Sequence, residues 1–328
     1  MVKAMAELLT VNGLVTEFRT ERGTVRAVNN ISYTVNESEI VGLVGESGCG
    51  KSVSQLSVMQ LVPNPPGKII AGTVDFEGKN LLQYKRESPE MCSIRGRYIS
   101  MIFQEPMTSL NPALTVSRQM TEVMIEHLGT EYKEARARSI DMLNQVGIPD
   151  PSKRVDDYPH QLSGGMRQRV MIAMAMLCNP KMIIADEATT ALDATIQAQL
   201  LELLYDMVNK YKTALVMVTH NLGVVARYVN RVNVMYAGSI VESGMVREIW
   251  SKPMHPYTKG LLSCVPRLGE KLVPIKGMPP SLVNRPDTCP FLARCRYRQQ
   301  QCFERQMAEL TNVGGDHYTT CSVMLEVK

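Results

Sequence analysis

Apolar and polar residues alternate in short runs at 8–18, 27–35 and 73–76. This period of two predicts antiparallel strands with one face buried. Residues 40–44 break the alternation with a continuous apolar run, as expected of a parallel strand covered on both faces. A glycine-rich loop follows, then a helical stretch over 51–61 that Pro63, Pro65 and Pro66 end. Residues 117–147 place apolar side chains three and four apart and predict mainly helix. Further helices are expected at 165–178 and 192–210, and buried strands at 181–185 and 214–219. Strand alternating with helix predicts a largely parallel sheet.

The pattern changes near Trp250. Prolines become frequent (Pro253, Pro256, Pro266, Pro274, Pro279, Pro280, Pro286, Pro290) and apolar periodicity fades. A boundary is expected there, dividing a domain over 1–250 from a tail over 251–328. With so little apolar surface, the tail needs a staple to hold a shape.

Composition adds limits. The 328 residues are 45% hydrophobic and 21% charged, the balance of a soluble globular chain with a large core. A net charge of +4 is too slight to suggest nucleic acid as the main partner, and none is expected. Apolar runs such as 213–218 are far too short to span a bilayer and read as buried strands. Residues 1–10 lack the pattern of a signal peptide, so the chain is expected to stay in the cytoplasm and to meet a membrane only through partner proteins. Of eight cysteines, Cys49, Cys92, Cys178 and Cys264 are scattered, whereas Cys289, Cys295, Cys302 and Cys321 crowd one end. Scattered cysteines read as small apolar residues, and a local cluster of four asks for a metal.

The chemistry begins with Gly45-Glu46-Ser47-Gly48-Cys49-Gly50-Lys51-Ser52, which matches G-x-x-x-x-G-K-[ST]. Glycines let the backbone curl so that several N–H groups face one anion, and the following helix adds its positive end. Lys51 is expected on the β- and γ-phosphates of a nucleotide and the Ser52 hydroxyl on Mg²⁺. Cys49 sits where helix ends favour thiolates, so alkylation that ATP blocks is one expectation and a small filler residue the other. Downstream, an apolar strand ends in Asp186-Glu187. Asp186 can hold Mg²⁺ and Glu187 can polarise a water, although a strand running out into solvated acids looks the same. His220 ends a second strand, and by itself such a histidine reads as structural.

Between these lies Leu162-Ser163-Gly164-Gly165-Met166-Arg167-Gln168. Ser163 can cap the next helix, and the glycines bare its first N–H groups, a second anion site. This segment resembles the signature motif of ABC ATPases, and the order of the motifs extends the resemblance along nearly the whole chain. It implies an α/β P-loop ABC ATPase fold: a mainly parallel sheet core, an antiparallel β subdomain and an α-helical subdomain at about 105–178. It implies ATP and Mg²⁺ as ligands. Phe18 sits where the adenine-stacking aromatic occurs, and Gln104, in Phe103-Gln104-Glu105-Pro106, looks like the Q-loop glutamine that touches Mg²⁺ and the attacking water. Ala191-Leu192-Asp193 looks like the D-loop, and His220 like the switch histidine on the γ-phosphate. Glu187 would then be the catalytic carboxylate that polarises the attacking water, and Mg²⁺ would be held by Ser52, Gln104 and Asp186. Two departures stand out: Met166 replaces the usual signature glutamine, and Ala188 the usual proline after the acid pair. In the implied mechanism two ATPase chains pair head to tail, each ATP lying between one phosphate loop and the partner's Leu162–Met166 motif.

The tail narrows the resemblance. His255-Pro256-Tyr257-Thr258-Lys259-Gly260-Leu261-Leu262, with Cys289-Pro290-Phe291 and Arg294-Cys295, is similar to the C-terminal motif of dipeptide, oligopeptide and nickel importer ATPases, above all the D-type subunits of dipeptide permeases. That implies ATP-driven import of di- or oligopeptides at the cytoplasmic face of the inner membrane. The partners would be a second, different ATPase chain, two transmembrane permeases and a substrate-binding protein. Nickel chelates or another small solute are the alternative cargo, and a soluble ABC ATPase without a transporter is the rival class. In such tails the four cysteines are associated with a [4Fe–4S] cluster. Four thiolates suit zinc as well, but tight C-x-x-C spacing is missing, which favours iron–sulfur.

Overall fold

The computed structural model describes residues 6–104, 109–188, 193–265, 274–283, 285, 287–304 and 306–323. Glu105 and Pro106 beside Gln104, Ala191 and Leu192 before Asp193, and Pro266 and Pro286 in the tail lie outside these. The chain divides into two compact units. One contains residues 1–36, 40–83 and 217–328, and the other 37–39 and 84–216.

In the first unit, β1 (Glu7–Thr20), β2 (Gly23–Asn36), β4 (Gly67–Phe76) and β5 (Lys79–Asn80) form an antiparallel sheet in the order β2-β1-β4-β5. Its alternating inward residues include Leu9, Val11, Leu14, Val28, Ile31 and Val35, all buried. A second sheet joins β3 (Ile40–Val44) in parallel with β9 (Arg231–Tyr236), and β9 antiparallel with β10 (Ser239–Met245). All five residues of β3 are buried, as its unbroken apolar run predicts. The β9–β10 hairpin was not among the sequence expectations; its apolar run is split by an Ala237-Gly238 turn. Ala237 and Gly238 both take positive φ (46° and 85°) there.

The tail also contains sheet. Strands β11 (Thr311–Gly314) and β12 (His317–Thr319) make a hairpin, and β12 pairs with β10. Glu242 of β10 is fully buried, and its carboxylate organises this region. It accepts the Met254 and His255 backbone N–H groups at 2.6 and 2.9 Å and lies 2.7 Å from His317 Nε2. His255 in turn caps the Pro256–Ser263 helix, its Nδ1 accepting from the Tyr257 N–H at 3.1 Å.

The second unit holds β6 (Ile99–Ile102) and β7 (Met182–Asp186), paired in parallel, with every β7 residue buried. The helical stretch expected at 117–147 is two helices, Val116–Leu128 and Tyr132–Gln145. Gly129 ends the first in the left-handed conformation (φ 64°), the usual stop for a helix. Thr115 caps its start. The Gly164–Met176 and Ala194–Tyr211 helices follow the sequence expectation within two residues at most ends. Strand β8 (Ala214–Thr219), wholly buried, carries the chain from the second unit into the first. Among the described residues no helix is long and apolar enough to cross a membrane.

Candidate functional site

The phosphate loop leaves β3 and enters the Lys51–Val58 helix. Two of its glycines are dictated by crowding. A Cβ at Gly45 would lie 2.1 Å from the Met235 carbonyl oxygen, and one at Gly50 2.1 Å from that of Ala27, where φ is also +99°. Any larger residue would push the loop off its supports. Lys51 is 4% exposed, and its Nζ donates to the Gly45 and Glu46 carbonyls at 2.9 and 3.1 Å. The ammonium is therefore held at the loop by its own backbone, within reach of any anion the loop encircles. Ser47 and Gly48 are exposed and Ser52 is half-buried. Phe18 is half-buried on β1 opposite Gly67, where a Cβ would meet its ring edge at 2.7 Å.

Cys49 is buried at 6% exposure. Burial pushes its thiol up, against the lowering effect of Lys51. Burial thus works against the thiolate expectation and favours the reading of Cys49 as a small packed residue.

In the second unit, β7 delivers Asp186 buried at 6% and Glu187 just beyond it, with φ +46°. Gln104, after β6, donates its side-chain amide to Glu187 Oε2 at 3.2 Å. Parallel pairing of β6 with β7 brings the two strand ends, and so the predicted water-handling pair, together. Ser163 caps the Gly164–Met176 helix, its Oγ accepting from Met166 N–H at 3.3 Å. Gly164 and Gly165 therefore stand in the first turn, where backbone N–H groups have no partner within the helix. Leu162 is buried. Asp193 caps the Ala194–Tyr211 helix, accepting from the Thr195 and Ile196 N–H groups. His220, in the first unit, is exposed at the end of β8.

The four clustered cysteines, Cys289, Cys295, Cys302 and Cys321, line one cavity with His255, Phe291 and Met307. The set is the one grouped in the sequence, and Cys321 reaches it from the far side of the β11–β12 hairpin. Burial pushes the Cys289 and Cys295 thiols up, and Cys321 to about 12. Among the described residues no three His, Cys, Asp or Glu side chains converge closely enough for a single metal ion.

The site geometry now has a setting among known proteins. Residues 28–190 match the ABC transporter family, and residues 241–302 the oligopeptide/dipeptide transporter C-terminal region. The oligopeptide transport ATP-binding protein AppD of Bacillus subtilis is 47% identical over 314 residues, 95% of each chain. The chain belongs to the ABC transporter family. Within it, the dipeptide transport ATP-binding proteins DppD of Bacillus subtilis and Escherichia coli are 50% and 48% identical, over 91% and 90% of this chain and 89% and 90% of theirs. Among solved structures, a dimeric ATP-binding cassette, MJ0796, bound to ADP and Pi, superposes with a TM-score of 0.65 at 25% identity, covering 73% of this chain and 99% of that one. The fold is the ABC ATPase cassette, of mixed α/β type. Three residues to which sequence reasoning assigned no role also shape the C-terminal region: Glu242, His317 and Arg294. Only Arg294 carried a signal, as the neighbour of Cys295.

Proposed function

We propose that this chain hydrolyses ATP to power import of di- or oligopeptides, as one ATPase subunit of an ABC transporter. The observation that carries the reading is the Gln104–Glu187 contact at the ends of paired strands, within a chain that has the whole motif order. Lys51 and the loop amides bind the β- and γ-phosphates, with Phe18 against the adenine. Ser52, Asp186 and Gln104 hold Mg²⁺, and Glu187 orients and polarises the attacking water. His220 contacts the γ-phosphate. Residues Leu162, Ser163, Gly164, Gly165 and Met166 face the ATP of a second ATPase chain, and Asp193 fixes the start of the helix after the D-loop. Catalysis is then mostly positioning and charge stabilisation, as phosphoryl transfer requires.

The names of the relatives support peptides as cargo, and the match at 241–302 to the oligopeptide/dipeptide transporter C-terminal region supports it independently. On this reading the chain sits peripherally on the cytoplasmic face of the inner membrane. Its partners are two permeases, a different ATPase subunit and a substrate-binding protein. A tagged pull-down from native membranes in mild detergent, with mass spectrometry, tests it. Co-purification of those chains is expected, and recovery of the chain with soluble partners alone overturns the transporter assignment.

We infer that the cysteine cavity holds a [4Fe–4S] cluster, with zinc as the alternative. A tetrahedral zinc with Zn–S near about 2.3 Å needs thiolates within about 4 Å of one another. That Cys289, Cys295, Cys302 and Cys321 all line one cavity is what supports a group bound to all four. Cys289, Cys295, Cys302 and Cys321 would hold it, and when bound it would supply a structural crosslink for a tail with a small core. Iron and acid-labile sulfide are expected in anaerobically purified protein. Zinc in their place supports the alternative, and absence of all three rejects a metal.

A further inference from the structure

The phosphate loop is gripped from below by the C-terminal region. Two polar groups of one loop residue, the backbone N–H and the carboxylate of Glu46, are taken by residues about 210 and 250 positions later. Its backbone N–H donates to Tyr257 Oη at 2.9 Å. Its carboxylate receives Arg294 Nη1 at 3.0 Å on one oxygen and 2.8 Å on the other. Neither partner is a loose surface group. Tyr257 is fully buried, its ring 4.4 Å from Tyr236 and 5.5 Å from Phe291. The Arg294 side chain is 6% exposed. Its Nε donates to the Lys276 carbonyl at 3.2 Å, its Nη1 also reaches Tyr236 Oη at 3.2 Å, and its guanidinium lies by the Tyr236 and Phe291 rings.

Two physical consequences follow for the loop. Lys51 Nζ bonds the Glu46 carbonyl, so whatever fixes Glu46 also fixes part of the cradle that holds the lysine. A carboxylate in a loop built to surround phosphates also repels its ligand. Arg294 neutralises that charge at bonding distance, and an uncompensated charge in a partly buried site acts strongly on its neighbours.

We propose that Arg294 and Tyr257 are positioning residues of the phosphate loop, through which the C-terminal region sets the affinity for ATP. Arg294 cancels the Glu46 charge and Tyr257 anchors its amide. The inference rests on the ATP-binding reading of the loop, and the controls keep the two apart.

The experiment measures Mg·ATP binding to the full chain, by competition with a fluorescent ATP analogue, alongside the Tm of each variant. Parent protein that does not bind ATP refutes the ATP-binding reading itself. With binding established, Arg294→Met leaves Glu46 uncompensated and is expected to weaken ATP binding about 10-fold. Glu46→Gln alone, which leaves the arginine in place, is expected to bind at least as well as the parent. The double variant, lacking both charges, is expected within about 2-fold of the parent, because the repulsion is gone. A merely structural arginine predicts the opposite, with the double variant as weak as Arg294→Met. Parent-like binding by Arg294→Met, or failure of Glu46→Gln to rescue it, overturns the charge argument. Tyr257→Phe keeps the ring and removes the acceptor. It is expected to weaken ATP about 3-fold with little change in Tm, and it tests the anchoring arm even where Arg294→Met does not fold. Unchanged ATP affinity in Tyr257→Phe overturns that arm.

Discussion

Gln104 and Glu187, 83 residues apart, share a hydrogen bond of 3.2 Å from the glutamine amide to the carboxylate. The bond exists because β6 and β7 run in parallel and in register from Ile99↔Met182 to Ile102↔Ala185, so their C-terminal ends release the two side chains at the same level. An amide held against a carboxylate keeps it oriented, and the carboxylate can then take a water on its other lone pairs.

Glu187→Gln is therefore expected to lower kcat for ATP hydrolysis by about 10²- to 10⁴-fold, the usual weight of a positioned base. ATP binding should persist, since the phosphate loop is untouched. Single-turnover hydrolysis and nucleotide binding on the same preparation check both halves. Loss of binding in proportion to loss of turnover would contradict the assignment.

Lys51→Ala removes an ammonium that already sits at the loop, bonded to Gly45 and Glu46. Charge-assisted bonds are worth about 1.5–3 kcal/mol each, so ATP affinity should fall about 10- to 100-fold. Titration with a fluorescent nucleotide measures it. Affinity within 2-fold of the parent (about 0.4 kcal/mol) would remove Lys51 from the phosphate contacts.

Cys49 is buried with its thiol pushed up, whereas Cys92 is exposed. Since the thiolate is the reactive form, Cys49 should label with maleimide far more slowly than Cys92 at neutral pH, and faster as pH rises. Peptide mapping over a time course gives the two rates. Equal rates would restore the activated-thiolate expectation.

His255 is fully enclosed, and burial holds its pKa down to about 4, against the raising effect of Glu242. The unfolded chain, with the ordinary value of 6.5, binds a proton that the folded chain refuses between these two pH values. Stability from this group is thus complete above pH 6.5 and is lost as pH falls toward 4, amounting to about 3 kcal/mol. Protonation would also cost the Nδ1 cap on Tyr257 N–H. His255→Asn keeps a capping acceptor without the titration, so its Tm should fall less steeply than the parent's between pH 6.5 and 4.5. Parallel Tm–pH curves would show that another group governs the acid limb.

Much of this protein is local, and local information is what a sequence displays. The loop Gly45–Ser52, the cap at Ser163, the buried runs of β3, β7 and β8 and the antiparallel alternation of β1 and β2 each follow from neighbours within a few residues. So do the breaks, such as Gly129, whose left-handed φ divides two helices that periodicity alone joins. Motif order along the chain was enough to point to the family. What the sequence could not show is which distant residues meet. The β11–β12 hairpin is short and poor in apolar residues, and it exists as sheet because β10 offers it an edge. Burying Glu242 is tolerable only because two backbone N–H groups and His317, 75 residues away, satisfy it. Arg294 reads in sequence as a charge beside a cysteine, and only folding places it on Glu46. The sequence by itself determined the elements and the reacting groups, since propensity, capping and loop chemistry act over one or two turns. Tertiary structure alone decided which carboxylates are neutralised and how deeply each thiol is buried, because charge compensation and burial depend on distance in space.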